Sequence, residues 1–171
     1  LSKGKVTIEN LSEADDTVLL TKAIKDANTE GDGQKTIDIG PAGTAMRFMT
    51  SYLNLIPGDF ILTGTERMQQ RPIGILVDAL KTIGADVHYV KKAGFPPLHI
   101  EGNLFQGKDK VSIKGDVSSQ YISSLLLIAS SLKKGLTIEI EGELTSRPYV
   151  TMTLNMLAEA GIQHSWKGNS I

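Results

Sequence analysis

The chain has 171 residues, 40% of them apolar and 22% charged, and its 18 lysines and arginines against 19 aspartates and glutamates leave a formal net charge of −1. There is enough apolar material for a sizeable core, and so balanced a charge gives no bulk attraction to nucleic acid or to an anionic membrane, so neither is an expected partner and any anion must be captured locally. The absence of cysteine excludes disulfides, thiolate metal sites and a cysteine nucleophile, and it fits a reducing compartment. The three histidines, His88, His99 and His164, stand at neither H-x-x-x-H nor H-x-E spacing, so no metal and no cofactor is expected. No stretch reaches the roughly 18 apolar residues of a membrane span and no apolar signal core opens the chain, which makes the cytoplasm the expected compartment.

In chain order, "KGKVTIEN" (3–10) reads as a strand that starts with no lead-in after Leu1, as in a piece of something longer. Ser12 to Asp15 have capping-box spacing ahead of Val18, Leu19, Ala23 and Ile24, predicting a helix over about 13–27. The glycine-rich "NTEGDGQK" is a turn or loop, followed by a strand at 36–39. Helical periodicity resumes after Gly43 through Met46, Met49 and Leu53 and stops at Pro57-Gly58, before a strand at 60–64. "TERMQQ" reads as a loop. A helix follows from Pro72 to Gly84, with proline suited to the first turn and glycine to the stop. "ADVHYV" and "LHIEG" read as strands flanking a Pro96-Pro97 turn.

The second half reads like the first: strand "VSIKG", helix "VSSQYISSLLLIASSL", strand "LTIEIEG", loop "ELTS", helix "RPYVTMTLNMLAEAG" and strand "IQHSW". Gly40 pairs with Gly115, Arg71-Pro72 with Arg147-Pro148, and Gly84 with Gly161, at offsets of 75, 76 and 77 residues that follow from the numbering. The order of elements agrees throughout, so the chain is expected to be one domain, 1–171. Within it, 36–101 and 111–171 are two copies of a strand–helix–strand–helix–strand unit, and 1–35 is the remainder of another.

Four unusual clusters fall at the starts of helices: Gly43-Thr44, Arg67 to Arg71, Ser118-Ser119-Gln120, and Ser146-Arg147. A helix N-terminus offers unpaired N–H donors and partial positive charge, so small or hydroxylated residues there let an anion approach. The four together could surround one phosphorylated ligand. Each also has a structural use. Thr44, Ser118, Ser119 and Ser146 are good N-cap residue types and, taken singly, each reads as a cap. Arg71 and Arg147 read as solvated loop cations, Arg47 as the partner of a nearby carboxylate, and Asp15-Asp16 as helix caps. Capping fails to account for "SSQ", because a helix needs one cap and here two hydroxyls and an amide stand together. Neither a Walker loop nor a G-x-G-x-x-G fingerprint after a strand is present.

"GPAGTAMRF" (40–48) resembles the G-N-A-G-T-A-M-R-P segment of the 5-enolpyruvylshikimate-3-phosphate synthase family. "ERMQQRPIGILVDALKTIGADV" resembles its R-M-x-x-R-P-I-x-x-L stretch, "GDVSSQYISSLLL" its S-S-Q-[FY] segment, and "SRPYVTMTLNML" its S-x-P-Y-x-x-x-T-L motif. The resemblance implies an α/β enolpyruvyl transferase fold of repeated βαβαββ units, here one of two domains with its first unit incomplete. It implies transfer of the enolpyruvyl group of phosphoenolpyruvate to the 5-hydroxyl of shikimate 3-phosphate, on the route to aromatic amino acids. By matching positions, Ser118, Ser119, Gln120, Ser146 and Tyr149 would meet shikimate 3-phosphate, and Gly43, Arg67 and Gln120 would meet phosphoenolpyruvate.

Pro41 replaces the family's asparagine and Phe48 a proline. The resemblance also implies that the acid–base residues lie outside this chain, in a second domain that would be its partner, so the chain alone is expected to be inactive. Two alternatives are a domain like that of UDP-N-acetylglucosamine enolpyruvyl transferase, disfavoured because Glu66 stands where that enzyme has its loop cysteine, and a non-catalytic module for phosphorylated ligands.

Overall fold

The protein is described from a computed structural model covering residues 7–171. Helix α1 (Asp15–Asn28) comes first, with Ala23 and Ala27 buried. The capping box expected over Ser12 to Asp15 does not form: Ala14 is the N-cap without a side-chain bond, and Ser12 Oγ accepts from the Ala14 N–H at 3.2 Å. Half of the strand expected over 3–10 lies outside the described residues, and residues 7–10 are not in a strand.

Strand β1 (Gln34–Asp38), helix α2 (Gly43–Tyr52) with a 3-10 turn at Leu53–Leu55, and β2 (Asp59–Thr63) form a parallel crossover unit. The stretch read as a loop contains a one-turn helix, α3 (Glu66–Gln69), because Thr65 Oγ1 caps the Met68 N–H and Met68 is buried beneath. Helix α4 (Gly74–Ile83) starts two residues later than Pro72, since the Ile73 N–H is drawn to the Gly94 carbonyl at 2.9 Å. It ends on Gly84 at φ +110, a left-handed stop that favours glycine. β3 (Asp86–Tyr89) and β4 (Leu98–Glu101) follow, and the four strands make one sheet in the order β1-β2-β4-β3, with β4 antiparallel to both neighbours.

The second run repeats this order with β5 (Lys110–Lys114), α5 (Ser119–Ala129), β6 (Thr137–Glu141) and α6 (Arg147–Glu159), and β5 and β6 again pair in parallel. The strand expected at 162–166 is absent. Its counterpart β3 is an edge strand held only by β4, and the matching partner here is the short stretch 169–171. That stretch bonds β6 as β4 bonds β2: Ile138 and Ile171 exchange N–H···O bonds of 2.8 and 3.0 Å, and the Ile140 N–H reaches the Asn169 carbonyl at 2.7 Å.

Alternation in the strands sends Ile37, Phe60, Leu62, Val87, Leu98 and Ile100 inward, where α2 and α4 meet them through Met46, Met49, Leu76, Val77 and Leu80. Burying side chains of this size contributes roughly 1.5–3 kcal/mol each. α2 packs against α5, and α5 against α6, so the two parallel pairs are joined through their crossover helices.

Candidate functional site

Each parallel pair delivers its helices from the same edge. After β1 and β2 the chain turns into α2 and α3, and the Thr65 N–H bonds the Gly40 carbonyl at 3.1 Å to hold the turns together. After β5 and β6 it turns into α5 and α6, and the Thr145 N–H bonds the Gly115 carbonyl at 3.2 Å. Gly43 and Arg67 therefore share one carboxyl edge, and Ser118, Ser119 and Ser146 share another, which is where parallel α/β units present ligand sites.

At the first edge, Ala42 caps α2 without a side-chain bond, so the N–H groups of its first turn are free of a cap. A Cβ built on Gly43 would fall inside the guanidinium of Arg71. Gly43 is thus small because a cation lies over it. Arg71, a solvated loop cation by sequence, is exposed but belongs to this mouth, and with Pro41, Thr65, Arg67 and Met68 it lines a cavity of about 250 Å³. No sequence signal places a side chain over a glycine 28 positions earlier.

Arg47, one turn into α2, is only 5% exposed and has no ion pair among the described residues, so the carboxylate partner expected for it is not there. Its Nη1 donates to the Gly43 carbonyl at 2.9 Å, its Cζ lies 6.0 Å from the Tyr121 ring centroid, and its Nε has no hydrogen-bond partner. Burial, and then the Arg71 charge, push its pKa below the ordinary arginine value. It remains a cation nonetheless.

At the second edge, hydroxyl groups replace cations. Ser118 caps α5 only loosely, its Oγ accepting the Gln120 N–H at 3.4 Å. Ser119 is buried, and Ser146 occupies the N-cap of α6 without making a cap bond. Thr44 lies inside α2 and takes no capping role there. Tyr149, in the first turn of α6, is 62% exposed. Arg147 stacks on Trp166 at 4.2 Å instead of being free in solvent.

Gln120 joins the two edges: its Nε2 donates to Thr44 Oγ1 at 3.0 Å across 76 residues. The structure so brings Gln120 to the start of α2, and Gly43 and Arg67 to one mouth. Phe48 lies elsewhere, in an apolar groove with Leu20, Ile24 and Tyr52.

This arrangement, two sets of helix starts on parallel strand pairs of matching order, accompanies a match of residues 1–170 to the family described as EPSP synthase (3-phosphoshikimate 1-carboxyvinyltransferase). The chain belongs to the EPSP synthase family. It is 51% identical over 166 residues to a 3-phosphoshikimate 1-carboxyvinyltransferase of Bacteroides fragilis (strain YCH46), covering 97% of this chain and 39% of that protein. To the protein of the same name in Shewanella sp. (strain ANA-3) it is 40% identical, covering 95% of this chain and 43% of the relative. The solved structure of EPSP synthase from Acinetobacter baumannii superposes with a TM-score of 0.75 at 20% identity, over 93% of this chain and 39% of that one, which shows the same fold. The chain spans about two fifths of the length of these EPSP synthase relatives. Among the described residues no helix is long and apolar enough to cross a membrane.

Proposed function

We propose that this chain is the substrate-binding part of a 3-phosphoshikimate 1-carboxyvinyltransferase, working with a second domain in the cytoplasm. The hydroxyl-lined edge, Ser118, Ser119, Gln120, Ser146 and Tyr149, takes shikimate 3-phosphate. The cation-lined edge, Gly43 and Arg67 with Arg71, takes phosphoenolpyruvate, and Gln120 stands between them. The observation that carries this reading is the Gln120–Thr44 hydrogen bond, which links the first turn of α5 to that of α2.

In the reaction, a C–O bond forms between the 5-hydroxyl of shikimate 3-phosphate, which gives up its proton, and the central carbon of phosphoenolpyruvate, and the C–O bond to phosphate breaks, so that inorganic phosphate leaves. Protons must be added to and removed from the enolpyruvyl methylene carbon, and the groups that do so are assigned to the part of the protein outside this chain. What this chain supplies is position: helix N-termini and hydroxyls for one phosphate, guanidinium forks for the other anion. The repeat supports assigning 36–101 and 111–171 as two copies of one unit and 1–35 as the remainder of another.

Titrating the isolated chain with shikimate 3-phosphate, followed by amide NMR, tests the reading. The expected outcome is binding near 1 mM, about 4 kcal/mol, with shifts centred on Ser118 to Gln120 and Ser146, and no phosphate release when phosphoenolpyruvate is added. Shifts elsewhere, or turnover by the chain alone, would overturn it.

A further inference from the structure

Tyr121 follows Gln120 directly, yet its side chain is only 6% exposed and enters the domain. Its hydroxyl donates to the Pro72 carbonyl at 2.7 Å, and Pro72 follows Arg71, whose guanidinium overlies Gly43. The Tyr121 ring also faces Arg47, whose Nη1 holds the Gly43 carbonyl. A single side chain in the first turn of α5 thus touches both sides of the cation-lined mouth. One turn further along, Ser124 Oγ lies 2.8 Å from the Arg47 carbonyl and 2.6 Å from Ser51 Oγ, continuing the same polar seam between α5 and α2.

The segment between α3 and α4 needs such support. Pro72 has no N–H to anchor it, and its neighbours are held through the Arg71 N–H to the Met68 carbonyl and the Ile73 N–H to the Gly94 carbonyl. Both anchors lie within the first unit, 34–101. The phenol is what ties this segment to α5.

We propose that Tyr121 is a positioning residue that couples the two mouths: an anion that fixes the first turn of α5 also fixes, through the phenol, the Arg71–Pro72 segment, and so readies the cation-lined mouth for the second anion. The inference rests on the ligand assignment above for the identity of the two anions. Such coupling is reciprocal between the sites, and a neutral hydrogen bond sets its scale at roughly two- to tenfold.

The experiment uses the full-length protein with Tyr121→Phe, which keeps the ring against Arg47 and loses only the hydroxyl, and with Tyr121→Leu, which loses both. Shikimate 3-phosphate alone should slow hydrogen exchange at the Arg71 and Ile73 amides in the parent and not in Tyr121→Phe. The variant should bind shikimate 3-phosphate alone with a Kd within about twofold of the parent, while the KM for phosphoenolpyruvate at saturating shikimate 3-phosphate rises about fivefold. Tyr121→Leu should do the same more strongly. Exchange slowed equally in Tyr121→Phe, or both ligands weakened together with a lowered Tm, would overturn the proposal. Arg67→Ala and Ser119→Ala separate the two failures. If they leave phosphoenolpyruvate and shikimate 3-phosphate binding untouched, the ligand assignment fails and the coupling falls with it. If they act as expected and Tyr121→Phe is silent, the coupling alone is lost.

Discussion

The two parallel units, 34–101 and 110–171, share their order of elements, the direction of their strand pairs and the edge at which their helices begin, yet their mouths differ in chemistry. The first presents a glycine beneath one arginine, a second arginine beside it and a third buried behind. The second presents serines and an amide. The same order of elements thus supplies two sets of helix N-termini, and side chains give each a different chemistry. Guanidinium forks suit a compact, highly charged ligand, whereas hydroxyls that can donate and accept suit a phosphate on a polyol ring.

The largest expected break in this comparison is at Arg67. In the full-length protein Arg67→Ala should raise the KM for phosphoenolpyruvate roughly 10- to 100-fold, the loss of a charge-assisted hydrogen-bond pair, and leave the KM for shikimate 3-phosphate nearly unchanged. Steady-state kinetics with each substrate varied in turn checks it, and equal rises in both constants would assign Arg67 to folding.

Gly43→Ala should come next. Its methyl would displace the Arg71 guanidinium, so phosphoenolpyruvate should weaken about tenfold, on the order of 1.4 kcal/mol, with Arg71→Ala weakening it similarly. An alanine that lowers Tm without changing selectivity would show that the glycine serves the backbone alone.

Ser119→Ala and Ser146→Ala sharpen the contrast from the hydroxyl side. A lost N-cap would cost about 1 kcal/mol of stability, but Ser146 makes no cap bond and Ser119 is not the N-cap of α5. Calorimetry should therefore find shikimate 3-phosphate weakened about fivefold, as for one hydrogen bond, with Tm nearly unchanged. A fall in Tm with unchanged affinity would restore the capping role.

The smallest effect concerns how the strand pairs are stapled. Glu139 of β6 pairs with Lys110 of β5 at 3.1 Å, while β1 and β2 are linked by Gln34 and Asp59. Hydrogen bonds from Lys110 and Ser170 hold the Glu139 carboxyl below its usual pKa. A depressed folded-state pKa gives stability that is present above the unfolded value and fades as pH falls through the folded value. The Tm difference between the parent chain and Glu139→Gln should therefore shrink between neutral pH and about pH 3. A difference that grows on acidification would contradict the pairing.

Much of this was legible in the sequence, because periodicity and punctuation are local. The 3.6-residue pattern through Met46, Met49 and Leu53, the glycines ending α4 and α6, and the matching element order lead to the helices and to the α/β class without any long-range information. The motifs at 40–48, 66–87, 115–127 and 146–157 led to the family. Errors came where a neighbour distant in the chain decides. Ile162 to Trp166 have strand-like residues but only a short partner to pair with, and "TERMQQ" coils into α3 because Met68 finds a core to enter.

The sequence by itself determined the fold class, the family and the residue types at each helix start, since these depend on local propensity, hydrophobic period and motif. Only the tertiary structure decided that Arg71 lies over Gly43, that Arg47 is buried without a carboxylate, that Gln120 reaches Thr44, and that Tyr121 holds Pro72. Those contacts join residues 28 to 76 positions apart or leave a charge unpaired. The packing of α5 on α2 sets the Gln120 and Tyr121 contacts, because it fixes which side chains meet across the two parallel units, whereas the turns of the first unit alone lay Arg71 over Gly43.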